Sequence, residues 1–318
     1  MEYRKLGKSD LKVSRLCFGS LTMGPLQANL PPQQGADLLK RAANLGINFI
    51  DTAEIYQTYP HIRAALDSDF PAGDELQVAT KTYAYTREQA AHSLEKARRE
   101  MNKECIDLFM LHEQESALTL RGHLPALEYF QEAKQKGFIR AIGISCHTIQ
   151  AVWAALNFSE IEVIHPILNL KGLGIRDGTR QEMVSALEEA HRHGIGIYAM
   201  KPLGGGHFQG NVPEALDFLL ELPFIDSIAM GMRSEAEIEY AIAYFKGEEI
   251  PAGLRSRVGK QKRQLLHLEE ECHECGRCID ACPQYALYWR EKPVVKEEEC
   301  IWCGYCAAAC PEFCLRVI

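Results

Sequence analysis

The chain has 318 residues, 47% hydrophobic and 25% charged, with a formal net charge of -8 at pH 7. That is a globular composition, which excludes a disordered or collagen-like chain, and the acidic balance argues against a general nucleic-acid binder. No run approaches the roughly 18 apolar residues of a membrane span, and the N-terminus MEYRKLGKSD is charged from its second residue, so a cytoplasmic protein without a membrane partner is expected.

Short apolar runs at residues 15–18, 47–51, 77–81, 106–112, 139–145, 163–169, 195–202 and 227–232 read as strands. Between them lie stretches of helical periodicity, among them 86–102, 178–193 and 234–245. Strand alternating with helix predicts an α/β protein with a parallel sheet and right-handed crossovers. An open doubly wound sheet fits that alternation too, but no G-x-G-x-x-G follows the first strand. A closed (β/α)₈ TIM barrel over residues 1–250 is therefore expected. Residues 251–268 read as a basic linker, a solvated helix carrying Arg255, Arg257, Lys260, Lys262 and Arg263. The remaining 269–318 opens on three glutamates and holds nine of the twelve cysteines from Cys272 onward. A basic linker beside an acidic tail suggests attraction within the molecule.

In such a barrel the chemistry sits at the C-terminal ends of the strands. Asp51, Lys81, His112 and Ser145 each end an apolar run, and Tyr56 follows Asp51 on the next loop. Any one of them has an ordinary structural use as a helix cap or a packed or solvated group. Four titratable groups at one mouth point to more. A buried lysine beside a phenol lowers the phenol's pKa, an aspartate keeps that lysine charged, and a histidine orients a carbonyl oxygen. Such a set protonates an oxyanion as it forms, which is the chemistry of carbonyl reduction by hydride.

The segments YRKLGKSDLKVSRLCFGS, INFIDTAEIY, VATKTY, LFMLHE, IRAIGIS, MKPLGGG and SIAMGMRS, in that order over residues 3–245, resemble the aldo-keto reductases. The resemblance implies that Asp51, Tyr56, Lys81 and His112 form the catalytic tetrad, with Tyr56 as proton donor, Asp51 and Lys81 tuning its pKa, and His112 orienting the carbonyl. It also implies NADP(H) as cofactor. Gly19 and Ser20 would border the nicotinamide ribose, with Ser145 and Asn169 at the carboxamide. Met200, Pro202 and Leu203 would lie along the nicotinamide and pyrophosphate, and Gly231, Met232 and Arg233 at the adenosine end, Arg233 facing a 2′-phosphate. The sequence departs from the family's usual residues at Cys146, His165 and Met200, where asparagine, glutamine and an aromatic are common. The implied substrate is a small carbonyl compound or alcohol.

The tail reads Cys272-x₂-Cys275-x₂-Cys278-x₃-Cys282-Pro283, then repeats as Cys300-x₂-Cys303-x₂-Cys306-x₃-Cys310-Pro311. This is the run of bacterial two-cluster ferredoxins, in which the fourth cysteine of each run ligates the other cluster. Two [4Fe–4S] clusters are expected in a small ferredoxin-like α+β domain, one on Cys272, Cys275, Cys278 and Cys310, the other on Cys300, Cys303, Cys306 and Cys282. Structural zinc would need only two cysteine pairs and leave the rest redundant. Cys314 has no slot and reads as core.

Three functions fit these halves. The chain could be an NADP(H)-dependent carbonyl reductase whose clusters support the tail, an electron-transfer protein whose clusters exchange single electrons with a redox partner or with the barrel, or an idle barrel carrying an interaction module. The intact tetrad counts against the third. Because hydride and proton both belong to the barrel, a chain ending near residue 268 is expected to keep reduction at some loss of stability.

Overall fold

A computed structural model describes residues 1–67, 76–208, 211–258, 265–267, 270, 272–311 and 314–317. Eight parallel strands close into a barrel in chain order: β3 (Leu16–Gly19), β4 (Phe49–Asp51), β5 (Gln77–Thr82), β6 (Ile106–Gln114), β7 (Ile139–Cys146), β8 (Val163–Pro166), β9 (Gly196–Met200) and β10 (Ser227–Gly231). Closure is made by β10 on β3, with Met230 opposite Phe18 and Gly231 opposite Gly19. The helices between the strands start where side chains can satisfy their first amides. Thr86 with Gln89 and Thr179 with Glu182 form capping boxes for Arg87–Met101 and Arg180–Arg192.

Residues alternate between two environments along each strand. Phe18, Ile50, Val78 and Phe109 pack outward among the helices, while Cys17, Phe49, Ala79, Leu108 and Met110 fill the barrel interior. The N-terminal end is plugged by an antiparallel hairpin, β1 (Tyr3–Lys5) and β2 (Lys12–Ser14). Its Leu6, Leu11 and Val13 are fully buried in the interior cluster. The plug sits hard against the barrel, for a Cβ at Gly7, where φ is +55°, would lie 2.0 Å from the Gly196 nitrogen.

After β10 and the helix Glu235–Phe245 comes a short helix, Ala252–Val258, with Leu254 buried. The basic residues Lys260, Lys262 and Arg263 lie outside the described residues, as do Glu269 and Glu271. The linker does not run to 268: β11 (Leu265–His267) pairs antiparallel with β14 (Leu315–Val317). A second hairpin, β12 (Leu287–Trp289) with β13 (Pro293–Val295), and short helices Arg277–Asp280 and Tyr305–Ala309 complete an α+β module. No helix among the described residues is long and apolar enough to cross a membrane.

The module sits on the C-terminal face of the barrel. Gln27 Nε2 donates to the Trp302 carbonyl at 3.1 Å, His207 pairs with the Cys300 carbonyl and stacks on Trp302, and Arg176 reaches the Tyr285 hydroxyl at 3.1 Å. Two glycines permit closer approach than any other residue: a Cβ at Gly205 would fall 1.9 Å from the Ile301 oxygen, and one at Gly304 would fall 2.4 Å from the Leu26 oxygen.

Candidate active site

Period-two alternation carries four side chains into the top layer of the barrel. Asp51 follows inward Phe49, Lys81 follows Ala79, His112 follows Met110 and His165 follows Val163. Lys81 Nζ lies 2.7 Å from Asp51 Oδ1 and donates to the Thr52 carbonyl at 2.8 Å. The same carboxylate oxygen accepts the Tyr198 hydroxyl at 2.9 Å and has His165 Nε2 at 3.6 Å. Tyr198 was not singled out from sequence, since it lies within an apolar strand and reads as packing. Its ring also stacks on His165, whose Nδ1 faces the Tyr198 carbonyl at 2.6 Å.

Tyr56 ends a 3₁₀ turn, Glu54–Tyr56, above this pair. Its ring centroid is 4.9 Å from Lys81 Nζ and 5.7 Å from the His112 ring, which stacks on Tyr83 on its other side. Burial, with Asp51, Tyr83 and Glu113 adding to it, pushes the Tyr56 phenol well above its ordinary value; the neighbouring Tyr305 hydroxyl acts in the opposite sense. This corrects the expectation of a lowered phenol. Lys81 is committed to Asp51 and Thr52, so its charge does not outweigh desolvation and the neighbouring carboxylate. Burial lowers Lys81 as well, though Asp51 opposes the fall. Burial and nearby cations hold His112 well below the usual imidazole range, and burial takes His165 down to about 3. Both rings are neutral near pH 7, and His112 Nδ1 is buried without a hydrogen-bond partner.

A cleft runs from this layer across the barrel face. Asp51, Tyr56, Gly19, Met200, Pro202, Leu203, Gly231 and Met232 line it, and so do Ile301, Trp302 and Cys303 of the tail. Four other predicted cofactor residues are not among its lining. Ser20 bonds Thr58 at 2.8 Å, Ser145 accepts the Glu113 amide at 2.9 Å, and Asn169 braces its own loop through Leu173 at 2.9 Å. Arg233 stands next to the cleft, 3.9 Å from Glu237, and Glu237 itself lines the wall. Glycine-rich backbone at Gly204–Gly206 and a single lysine, Lys201, suit the diphosphate of a dinucleotide.

The eight tail cysteines of the two runs gather around two cavities. Cys282, Cys300, Cys303 and Cys306 line one, and Cys272, Cys275, Cys278 and Cys310 line the other. Each set takes three thiols from one run and one from the other. The walls between are apolar, with Leu265, Leu287, Ile301 and Trp302 at the first. Four soft donors in an apolar shell fit an iron–sulfur cluster. Burial raises the Cys300 thiol to about 12, the tendency that metal coordination reverses. Cys314, read as core, is buried as expected but also lies at the second cavity, with its sulfur 3.2 Å from that of Cys310; His267 joins it there.

The chain belongs to the aldo/keto reductase family, whose model matches residues 15–218, and a 4Fe-4S dicluster domain model matches residues 264–311. It is thus an oxidoreductase-family barrel joined to an iron–sulfur domain. Among curated relatives, the uncharacterized oxidoreductase YqkF of Bacillus subtilis is 27% identical over 223 residues, 65% of this chain and 66% of that protein. Probable aldo-keto reductase 1 of Glycine max is 28% identical over 232 residues, 66% of this chain and 63% of that protein. The chain therefore spans just under two thirds of the length of these relatives. The holo form of an aldo-keto reductase from Bacillus halodurans superposes with a TM-score of 0.65 at 21% identity, covering 82% of this chain and 96% of that one. A putative aldo-keto reductase from Pseudomonas aeruginosa gives 0.66 at 22% identity, covering 77% and 94%. These likenesses establish the barrel fold.

Proposed function

We propose that the protein is an NADP(H)-dependent reductase of small aldehydes or ketones, with Tyr56 as the proton donor, and that its tail holds two [4Fe–4S] clusters. The observation that carries this reading is a protonated, buried phenol standing over the Asp51–Lys81 pair in a cleft that runs on past Gly19, Met200, Leu203 and Met232. The nicotinamide, when bound, supplies the hydride, and each cluster stores one electron. Tyr56 holds its proton until negative charge builds on the substrate oxygen, then transfers it there. Lys81 stabilises the phenolate left behind, and Asp51 keeps the buried Lys81 charged. His112, neutral and with a free ring nitrogen, orients the carbonyl oxygen.

Gly19, Met200, Pro202, Leu203, Gly231 and Met232 would hold the cofactor directly. Ser20, Ser145 and Asn169 would shape the loops around it, and Arg233 would select the 2′-phosphate. Cys282, Cys300, Cys303 and Cys306 would hold the cluster nearer the cleft, and Cys272, Cys275, Cys278 and Cys310 the outer one. We divide the chain into a barrel to residue 250, a linker, and a cluster module that the β11–β14 pairing extends back to residue 265. The cytoplasm, a reducing compartment, suits free thiolates and oxygen-sensitive clusters.

The test is Tyr56→Phe in anaerobically prepared protein. General acids contribute about 10²–10⁴-fold, so kcat for a reactive aldehyde should fall by that factor while NADPH still binds. The unaltered protein should contain about eight iron atoms per chain. Most of the activity surviving in Tyr56→Phe on every aldehyde tried would refute the assignment, and stoichiometric zinc in place of iron would refute the clusters. A second reading, single-electron exchange between clusters and barrel or a partner protein, is favoured by one fact: Cys303 lines the same cleft as Tyr56. A shift of the cluster potentials on adding NADPH and substrate under anaerobic conditions would support it.

A further inference from the structure

The roof of the active site comes from the other end of the chain. Tyr305 is buried in one apolar cluster with Tyr56, Ala53, Met200, Leu26, Ile301 and Cys303. It packs there with Tyr56, and its hydroxyl opposes the rise of both the Tyr56 and the Tyr83 phenol. Tyr305 is also the first residue of its helix, and Gly304 before it, at φ +85°, makes the turn that aims it into the barrel. That turn is gripped on both sides, by Leu26 and Gln27 after β3 and by Gly205 and His207 after β9. Cys303 lies two residues before Tyr305 and Cys306 one residue after it, both at the inner cysteine cavity.

We propose that Tyr305 is a positioning residue for Tyr56 and that cluster coordination by Cys303 and Cys306 holds it in place, so that losing the inner cluster opens the reductase site. The inference rests on reading Tyr56 as the acid. As catalysis proceeds, the O–H bond of Tyr56 breaks and an O–H bond forms on the substrate oxygen. The Tyr305 hydroxyl then donates to the phenolate and fixes its direction; no electron or further reactant is required. A loop with no metal has only the hairpin-sized contacts above to keep a buried phenol in the mouth. With two of its residues bonded to one rigid cluster, the intervening backbone has little freedom left.

Tyr305→Phe keeps the ring and removes the hydroxyl. Hydrogen bonds to charged groups are worth enough for about a tenfold effect or more. The variant should load iron as the unaltered protein does, keep its KM for NADPH within about twofold, and lose about tenfold in kcat. Independently of activity, hydrogen exchange of the full chain should be compared with and without iron. Removing iron should accelerate exchange at residues 301–306 and also at 53–57, while β6 stays protected. An unchanged kcat in iron-loaded Tyr305→Phe overturns the proposal, and so does unchanged exchange at 53–57 after iron removal. If the variant fails to load iron, the exchange result on the unaltered chain decides alone. Activity retained in Tyr56→Phe would instead sink the underlying assignment of the acid, a separate outcome.

Discussion

Asp51 Oδ1 gathers Lys81, Tyr198 and His165 around a single buried oxygen. The carboxylate balances the Lys81 ammonium, and the Tyr198 and His165 rings pack around the pair. The result is a phenol at Tyr56 that stays protonated: burial raises it, and the charge of Lys81 is offset by Asp51. With Tyr56 as the proposed proton donor the acid form would be the active one in reduction, so activity would be lost only as pH rises through the Tyr56 pKa. Since that pKa is raised above the ordinary phenol value of about 10, reduction should show no loss from phenol ionisation up to pH 10. A pH profile of kcat with a descending limb near pH 8 would contradict this account. Asp51, Lys81 and His112 were legible in the sequence because they are polar residues ending apolar runs, and Tyr56 because it follows at loop distance. Tyr198 and Tyr305 were not. One is a mid-strand aromatic and the other lies between two cysteines of a ferredoxin run, so neither pattern hints at a hydroxyl aimed at the mouth.

Seven of the eight barrel strands were readable to within a residue or two, and the run 163–169 overshoots Val163–Pro166 by three. Parallel strands buried on both faces give near-continuous apolar runs, and turn-rich loops bound them. The N-terminal hairpin escaped notice because strands of only three residues, such as Tyr3–Lys5 with its two adjacent cations, carry little signal. The tail's β11 was hidden inside what reads as a basic linker, since its partner β14 lies some fifty residues onward. Between elements the decisive contact is Gly205 on Ile301, which joins the loop after β9 to the inner cysteine loop. Gly205→Ala places a methyl where the Ile301 oxygen stands, at a φ of +73° that alanine resists. The barrel should still fold, for its strands do not depend on this loop. The module should separate from it, seen as rapid exchange at 301–306 and weaker NADPH binding. An alanine variant with native exchange there would show that the approach can relax.

At the level of the whole molecule, the sequence suggests two separable halves, a working barrel and a supporting tail. The docked module alters that view, because Ile301, Trp302 and Cys303 form part of the cleft wall. A chain cut at residue 258 retains every barrel strand and the β10–β3 closure. It should give a native-like circular dichroism spectrum, yet bind NADPH more weakly and lose most of its kcat/KM for aldehydes. A truncated barrel with undiminished kcat/KM would restore the separable picture. The crossed cysteine sets also impose an order on biosynthesis. The last barrel strand ends at Gly231, whereas each cavity needs thiols from both runs: the inner one is not bounded until Cys306 has been made, nor the outer one until Cys310. During translation the barrel can therefore close with an open mouth, and iron delivery becomes the final act of maturation rather than an early one. A cell short of iron would accumulate folded, unroofed barrels, visible as a pool of full-length chain that gains its colour and its protection from proteases together when iron and sulfide are restored.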